Sequence, residues 1–390
     1  MAVLKEVRIG LIGHGNMGRH HLAYLTKGEV PQARITAVAD VNPQALQRAL
    51  QTNPKVQTFE DGKAMIHSGL VDAVLIATPH YFHPGLTIEA FKAGLHVLCE
   101  KPVAVTAKAA QQMNEAHARH KKLVFAAMFM MRMSPMWRKV KEMVDGGAVG
   151  RITRVNWIVT DWFRSQAYYN SGGWRATWGG EGGGVLLNQC PHNLDLLTWI
   201  CGVPNRVVAQ ATLGKFHQIE VEDEVSALLT YPNGATGFFC TTTGEAPGTN
   251  RLEIAGDNGR IIAGGSRAIE WVQTTVNTAR FCKTTRESFA VPPTNKIVIE
   301  PGGKDLAHMG ITLNFVNAIL HGEKLIAPAE EGIRGLELGN AMLMSGLTGK
   351  PVSIPTNRNA YDALIRKLAR TSKAQKTVQE ARVDMGASFR

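Results

Sequence analysis

Apolar runs of strand length alternate with helical periodicity through the first third of the chain. Between the runs, apolar residues recur every three to four positions, as they do in amphipathic helices. Such alternation is typical of a doubly wound parallel sheet with helices on both faces. We therefore predict an α/β fold whose first domain, residues 1–127, is a Rossmann domain. The strand-length runs are VRIGLI, ARITAVA, VDAVLIA, HVLC and KLVFAA.

The pattern changes after residue 127, where one helix is followed by runs in which apolar and polar residues alternate. Two of the gaps contain the turn sequences PNG and DNG, which favour hairpins. Residues 128–355 are therefore predicted to form a strand-rich α+β domain. Residues 356–390 are predicted to form a basic, amphipathic helical extension. The strand-like runs of the second domain are RITRVNWIVT, RVVAQATL, EVSALLTY, ATGFFCTTT and NRLEIAG.

Length and charge narrow the class of protein. At 390 residues, the chain is long enough for two packed domains. Its formal net charge is +11, and about half of this surplus lies in residues 351–390, where eight Lys/Arg stand against three Asp/Glu. These basic residues are scattered and have no aromatic stacking platform beside them. We therefore predict no nucleic-acid partner.

Cysteine and histidine usage adds three further expectations. Five cysteines without a CxxC pair fit a reducing compartment. No apolar run approaches the length of a membrane span and no leader precedes the first strand, so we predict a cytoplasmic protein without a membrane partner. The chain has no His-x-x-x-His pair and no His/Cys cluster, so we predict no metal site.

The sequence GHGNMG joins the first predicted strand to the first predicted helix. Gly13 allows a tight turn, Gly15 lets the backbone approach a pyrophosphate, and Gly18 allows the helix to pack closely on the strand. The N–H groups at the start of the helix favour a phosphate group. These features predict a dinucleotide-binding turn. Its other predicted cofactor contacts are His14, Asn16 and Met17.

Asp40 ends the second predicted strand, twenty-two residues after Gly18. A carboxylate at this place binds the ribose hydroxyls of a dinucleotide and repels a 2′-phosphate. The sequence therefore favours NAD over NADP as the cofactor. The carboxyl ends of the later strands line the same edge of a parallel sheet. The residues there that we predict to contact the cofactor are Thr78, Pro79, His80, His83, Glu100 and Lys101.

Taken in order, the glycine turn and the later motifs resemble the Gfo/Idh/MocA oxidoreductase family. The resemblance implies an NAD-dependent hydride transfer on a sugar, glycoside or polyol, with Trp174 and Arg175 near the cofactor. It also implies a C-terminal domain with a large, mostly antiparallel open sheet, whose outer face mediates a homodimer or homotetramer. The segment WGGEGGGVLLNQCPH is similar to that of members that oxidise the C3 hydroxyl of glucosides. The motifs are Pro79 and His83, EKP at 100–102, Arg132, SGGWR at 171–175, GGGVLLNQCPHNLDLLTW at 182–199, and NFVNAIL through GKPVSIP at 314–355.

Alcohol oxidation by NAD requires a base for the hydroxyl proton and positive charge near the developing alkoxide. Lys101 suits the second role, and His192 suits the first because imidazole titrates near neutral pH. The resemblance implies an aspartate at residue 188, where this chain has Asn188, which can only orient its partners and form hydrogen bonds. These three residues are our predicted catalytic set. Asp195 either orients His192 or, as we prefer, serves packing, and Pro191 indicates a kink or a helix restart.

The loop over residues 160–184 crowds aromatic rings around two arginines. Flat apolar faces beside polar groups suit sugar rings. Two alternatives stay open: a glycoside-cleaving enzyme that uses NAD for transient C3 oxidation and elimination, and a non-catalytic NAD and sugar sensor. The presence of both Lys101 and His192 argues against the sensor. The predicted substrate contacts are Lys101, Met130, Arg132, Trp162, Arg164, Tyr168, Asn188 and His192.

Overall fold

A computed structural model describes residues 5–372 of the chain. Its first sheet has six parallel strands in the order β3-β2-β1-β4-β5-β6. This arrangement confirms the predicted Rossmann-type sheet. The strands are β1 Val7–Ile12, β2 Ala33–Ala39, β3 Gln57–Phe59, β4 Ala73–Ile76, β5 His96–Cys99 and β6 Phe125–Ala127.

Helices connect these strands, and the strand order reverses between β1 and β4. In an open α/β sheet, ligands bind at the carboxyl ends of the strands on either side of such a reversal. The predicted cofactor residues that follow β1, β2, β4 and β5 lie at this edge of the sheet. The helices are α1 Asn16–Thr26, α2 Pro43–Thr52, α3 Gly62–Ile66, α4 His83–Lys92 and α5 Ala107–Ala118, with a short 3₁₀ helix at His80–Phe82.

The pattern of the sequence did not predict β3. This strand has three residues and pairs only with the end of β2. Three residues carry too little periodicity to be separated from a loop by sequence alone. The strand nevertheless matters for the site, because the carbonyl of Phe59 accepts a hydrogen bond from the backbone N–H of Asp40 at 3.0 Å.

The second sheet has nine strands in the order β14-β13-β12-β11-β7-β10-β9-β8-β15. All neighbouring pairs are antiparallel except β7 and β10. It is the large, mostly antiparallel sheet that the resemblance implied. The strands are β7 Ile152–Val159, β8 Arg206–Leu213, β9 Glu222–Thr230, β10 Thr236–Thr242, β11 Asn250–Gly256, β12 Gly259–Gly264, β13 Ser266–Thr274, β14 Thr294–Ile299 and β15 Val352–Ser353.

Helices cover one face of this sheet and leave apolar residues exposed on the other. On the covered side, α11 packs on β8 and α8 packs on α11. On the open side, Val208 and Leu228 are cross-strand neighbours and both are exposed. The helices of this part are α6 Pro135–Asp145, α7 Gln166–Asn170, α8 Pro191–Cys201, α9 Thr278–Thr284, α10 Ala307–His321, α11 Gly332–Thr348 and α12 Arg358–Thr371, with 3₁₀ helices at Met130–Met133 and Ala329–Glu331.

The late part of the chain returns to the first sheet. The hydroxyls of Tyr24 in α1 and Thr312 in α10 are 2.8 Å apart, and the backbone N–H of Ala127 donates to the carbonyl of Ala327 at 3.0 Å. The division into residues 1–127 and 128–355 stays a prediction. Of the predicted basic extension, α12 is described, and residues 373–390 lie outside the described residues. No helix within 5–372 is both long and apolar enough to cross a bilayer.

Candidate active site

The glycine turn between β1 and α1 shows why three glycines are needed. Gly13 has a φ of 94°, and a Cβ there would lie 2.6 Å from the carbonyl oxygen of Ala77. A Cβ on Gly18 would overlap the carbonyl of Gly13. A Cβ on Gly15 would meet no described atom within 4 Å, so this position faces open space at the start of α1. Two glycines thus serve packing within the protein, and the open space at Gly15 is where the predicted pyrophosphate of a dinucleotide would lie.

The carboxylate of Asp40 is held in place at the end of β2. Its Oδ2 accepts from the backbone N–H of His14 at 2.7 Å, and its Oδ1 accepts from the backbone N–H of Asn42 at 2.8 Å. Asn42 also caps α2 by accepting from Gln44 at 3.0 Å. The carboxylate therefore lies beside the glycine turn, where the adenosine ribose of NAD would be bound.

The segments that follow β4 and β5 are tied together by His83. Its Nε2 lies 2.8 Å from the carbonyl oxygen of Thr78, and its Nδ1 lies 2.9 Å from that of Pro102. His80 is buried, and its ring meets the ring of Trp174 edge-on at 5.6 Å. These contacts bring the predicted cofactor residues of both strand ends together with Trp174, which comes from the second part of the chain.

Glu100 faces α1. Its Oε1 lies 2.7 Å from Nε2 of His21, and its Oε2 accepts from the backbone N–H of Lys101 at 3.1 Å. Burial favours the neutral carboxyl, but the hydrogen bond and charge of His21 outweigh it and lower the pKa of Glu100 to about 2. Its observed contacts thus anchor the strand end that carries Lys101, and its predicted contact with the cofactor stays a prediction.

Lys101 is held by the second part of the chain. Its Nζ donates to the backbone carbonyl of Asn188 at 2.9 Å. Burial lowers the pKa of Lys101, the carboxylates of Glu100 and Glu181 oppose this, and nearby arginines lower it further. One N–H of the ammonium is engaged with Asn188, and an ammonium has three donors. Lys101 can therefore also donate to a substrate oxygen.

Asn188 lies ahead of α8, because that helix begins at Pro191. Proline at the first helical position loses no hydrogen bond, so Pro191 marks the start of a helix. The side chain of Asn188 donates from Nδ2 to Oε1 of Glu181, and its Oδ1 accepts a long hydrogen bond from the hydroxyl of Tyr168 at 3.5 Å. Asn188 thus touches the lysine through its backbone and a carboxylate through its amide.

His192 is the second residue of α8 and is buried. Its Nδ1 is buried without a hydrogen-bond partner among residues 5–372, and its ring packs edge-on against Phe129 at 6.3 Å. Burial, followed by the positive charge of Lys101, lowers the pKa of His192 well below its ordinary value. The imidazole is therefore neutral near pH 7, which is the form that accepts a proton.

Asp195 and Arg132 form a buried ion pair. The guanidinium of Arg132 donates to both carboxylate oxygens of Asp195, at 2.7 and 2.8 Å, and also to Glu331 at 2.6 Å. These contacts support the packing role that we preferred for Asp195. Arg132 thereby joins the 3₁₀ helix at Met130–Met133 to α8. The contacts predicted for Arg132 and Met130 with the substrate stay predictions.

The aromatic loop alternates rings with guanidinium groups. Arg164 lies over the rings of Trp162 and Tyr168, at 5.5 and 5.4 Å. Arg175 lies over Tyr168 and Trp174, at 4.7 Å from each, and donates to the hydroxyl of Tyr168 at 2.9 Å. This loop reaches Asn188 through Tyr168. The geometry therefore links the predicted substrate residues of the loop to the lysine that they would serve.

Two buried carboxylates at the glycine cluster were not predicted: Glu181 inside it and Glu222 against it. Glu181 contacts the amide of Asn188, and Oε1 of Glu222 accepts from the backbone N–H groups of Gly184 and Leu186 at 2.9 and 3.2 Å. Burial raises the pKa of Glu222 to about 7. The charged residue inside GGEGGG was an available signal for Glu181. Glu222 gave none, because a glutamate in a strand is usually a solvated residue.

Within residues 5–372, no group of three or more His, Cys, Asp or Glu side chains could hold a metal ion. The described polar groups near Lys101 instead form the hydrogen-bonded set of Asn188, Glu181 and Tyr168. This set can orient a substrate hydroxyl. Lys101 can supply positive charge, and the neutral His192 can accept a proton. These capacities match the needs of alcohol oxidation with a dinucleotide.

Comparison with known proteins bears on both parts of the chain. Residues 7–128 match the family model described as "Oxidoreductase family, NAD-binding Rossmann fold", and residues 137–262 match the one described as "GFO/IDH/MocA C-terminal domain". Levoglucosan dehydrogenase of Pseudarthrobacter phenanthrenivorans is 28% identical over 294 residues, which are 66% of this chain and 74% of that protein. Inositol 2-dehydrogenase of Rubrobacter xylanophilus is 33% identical over 195 residues, 50% of this chain and 52% of that protein.

A solved structure resembles nearly the whole chain. The WlbA dehydrogenase from Bordetella pertussis, in complex with NADH and UDP-GlcNAcA, has a TM-score of 0.76 and 27% sequence identity. The match covers 90% of this chain and 99% of that chain. The similarity therefore extends over both sheets and the junction between them.

Proposed function

Because the chain belongs to the GFO/IDH/MocA family of NAD-binding oxidoreductases, we propose that it oxidises a secondary hydroxyl of a sugar, glycoside or polyol. The bound nicotinamide supplies a hydride acceptor at its C4. The observation that carries the proposal is the pair of Lys101 and His192. A buried imidazole interacts electrostatically with a half-buried ammonium, in a chain that also carries the predicted NAD-binding turn.

In this proposal, Lys101 orients the substrate. Its ammonium keeps one hydrogen bond to the carbonyl of Asn188 and donates another to the hydroxyl oxygen that reacts. Positive charge at this oxygen stabilises the alkoxide that develops as the hydride leaves the neighbouring carbon. Lys101 therefore acts by electrostatic stabilisation and by positioning.

His192 takes the hydroxyl proton. The neutral imidazole accepts this proton during oxidation and returns it during reduction. The low pKa of His192 keeps the imidazole neutral in the resting state, with one nitrogen able to accept a proton, and the nearby lysine adds to this effect. A single base therefore suffices, and Asn188 needs only to position its neighbours.

The substrate class we propose is a glycoside oxidised at C3. The aromatic loop, with Trp162 and Tyr168 beside Arg164, offers flat apolar faces and charged donors that suit a sugar ring and its substituent. The motif WGGEGGGVLLNQCPH is similar to that of glucoside-oxidising members. Two relatives are named for levoglucosan and inositol, which supports a ring alcohol as the substrate.

The test is an incubation of the protein with NAD and a panel of glucosides, inositols and free sugars. NADH absorbance and product mass are followed together. We expect a ketone and NADH in equal amounts, and we expect both Lys101→Ala and His192→Ala to lose turnover. Aglycone release without NADH would instead favour the cleaving enzyme, and binding without turnover would favour the sensor.

A further inference from the structure

We infer that Glu181 is a positioning residue of this reaction: its buried carboxylate orients Asn188 and supplies the negative charge for Lys101 that the family resemblance implies at residue 188. Asparagine cannot supply this charge. A carboxylate bonded to its amide restores the charge from seven residues away in the chain. The inference rests on the proposed dehydrogenase function, since it concerns the lysine of the same site.

Glu181 is fixed on both of its oxygens. Its side chain is buried, with 2% of the residue exposed. Oε2 accepts from the backbone N–H of Ala176 at 2.5 Å, and Oε1 accepts from Nδ2 of Asn188. The backbone N–H of Glu181 also donates to the carbonyl of Thr177 at 2.9 Å. A carboxylate held in this way keeps one position and does not sample solvent.

The contact with Glu181 determines which way the amide of Asn188 points. A carboxylate only accepts hydrogen bonds, so Nδ2 of Asn188 must face it. Oδ1 then faces the hydroxyl of Tyr168, which also accepts from Arg175. With the side chain fixed on both sides, the backbone carbonyl of Asn188 is held toward Nζ of Lys101 at 2.9 Å. Glu181 therefore acts on the lysine through Asn188.

Glu181 also acts on Lys101 through its charge. In a buried region, charges interact over longer distances than in water. The carboxylates that face Lys101 are Glu100 and Glu181, and Glu100 is already paired with His21 at 2.7 Å. Other charged or titratable groups that interact with Lys101 are Arg164, Arg175, His80, His192, His308 and Cys190. Near Glu181, besides Lys101, lie His80, Tyr169 and Glu222.

Removing the carboxylate should change the ionisation of Lys101 in a defined direction. Burial already lowers the pKa of Lys101, and Glu181 opposes that effect. In Glu181→Gln this opposition is lost, so Lys101 should lose its proton at a lower pH. The basic limb of the kcat/KM profile should therefore move to lower pH.

The experiment compares four variants by pH profile: Glu181→Gln, Asn188→Asp, the double variant and the control Glu220→Gln. Glu220 accepts a hydrogen bond from the backbone N–H of Trp178, which lies in the same loop as Glu181. Among the described residues, Glu220 forms no hydrogen bond with Asn188. We expect a basic limb at lower pH in Glu181→Gln and a lower kcat with little change in KM, because the carbonyl of Asn188 is no longer held toward Lys101. The control should keep the wild-type profile. The double variant should regain most of the activity, because residue 188 then carries the carboxylate that residue 181 has lost.

A second readout does not depend on turnover. The labelling of Lys101 by an amine-reactive reagent, followed by peptide mass spectrometry across pH, reports its ionisation in the cofactor-free protein. Its midpoint should fall in Glu181→Gln and return in the double variant. An unchanged midpoint, or a double variant no better than Glu181→Gln, would overturn the role of Glu181. A wild-type protein that oxidises no member of the panel would instead refute the proposed function, and the labelling result would still decide the charge coupling.

Discussion

At the residue scale, the environment of His192 determines when the proposed base can work. The imidazole is buried and packs against Phe129. Burial and the positive charge of Lys101 both disfavour its protonated form. A base must be unprotonated to accept the hydroxyl proton. The lowered pKa of His192 therefore extends the pH range of oxidation toward acid. Loss of the proton of Lys101 limits this range at alkaline pH.

The pH profile of oxidation follows from this environment. Because the pKa of His192 lies well below 6.5, the acidic limb of kcat/KM should also lie well below pH 6.5. The measurement is initial-rate kinetics in overlapping buffers, with the melting temperature followed at each pH to exclude unfolding. An acidic limb at 6.5 or above would contradict the assignment of His192 as a buried neutral base.

A second prediction at this scale concerns Asp40. Replacing it with serine removes a carboxylate that is held beside the glycine turn by His14 and Asn42. We expect NAD to bind roughly 10- to 100-fold more weakly, since a hydrogen bond to a charged group contributes about 1.5–3 kcal/mol. Binding of NADP should improve relative to NAD, because its 2′-phosphate no longer meets a negative charge. Titration calorimetry with both cofactors measures this.

The matched control for that titration is Glu29→Gln, which removes an exposed carboxylate just after α1. It should leave both affinities unchanged. If Asp40→Ser keeps the wild-type preference between NAD and NADP, then Asp40 does not contact the ribose.

At the element scale, the start of α8 organises the site. Pro191 begins the helix, so His192 projects from its first turn while Asn188 remains in the preceding turn. Asp195, one turn further on, pairs with Arg132 from the 3₁₀ helix at Met130–Met133. Asn188, His192 and Asp195 therefore have different surroundings, because the helix begins between the first two.

The ion pair of Asp195 and Arg132 should affect stability without affecting chemistry. Removing one partner of a buried pair leaves an uncompensated charge and costs about 3–5 kcal/mol. We expect Asp195→Ala to be strongly destabilised in urea unfolding, and Asp195→Asn less so because its amide oxygen still accepts a hydrogen bond. Folded Asp195→Asn should keep the wild-type pH profile. A displaced acidic limb in that variant would mean that Asp195 acts on His192 after all.

At the scale of the whole molecule, the open face of the nine-stranded sheet is the expected interface between copies. Val208 and Leu228 are cross-strand neighbours there, and 61% of Leu228 is exposed. Exposed apolar patches of this kind mark interaction surfaces. We expect a dimer or tetramer in light scattering, and Leu228→Lys should reduce the mass to that of a monomer. Leu50→Lys, on the exposed side of α2, should leave the mass unchanged. A monomeric wild-type protein would contradict this.

Local features of the sequence were sufficient to predict much of this architecture. The unit of β1, α1 and β2 was predictable because the glycine turn, the apolar runs and Asp40 lie within about forty residues. The packing of α10 against the first sheet was not, since the contact of Tyr24 with Thr312 joins distant parts of the chain. Such contacts depend on tertiary packing, which leaves no periodic signal in the sequence.

The same division holds within the site. Lys101 and His192 could be proposed as catalytic residues from the sequence because each lies in a motif whose residue type suits a chemical role. The sequence shows Glu181 as a charged residue inside GGEGGG, but its contact with Asn188 is created only by the folded turn. The pairing of Arg132 with Asp195 was hidden for the same reason, because the two residues lie on different elements.

Hydride transfer itself can be followed directly. A glucoside carrying deuterium on C3 is incubated with NAD and the protein, and the released cofactor is analysed by mass spectrometry. The proposed reaction moves the C3 hydrogen to nicotinamide, so the NADH should carry one deuterium, and His192→Ala should form little of it. Unlabelled NADH from an oxidised glucoside, or aglycone release without any NADH, would contradict oxidation at C3 as the reaction of this site.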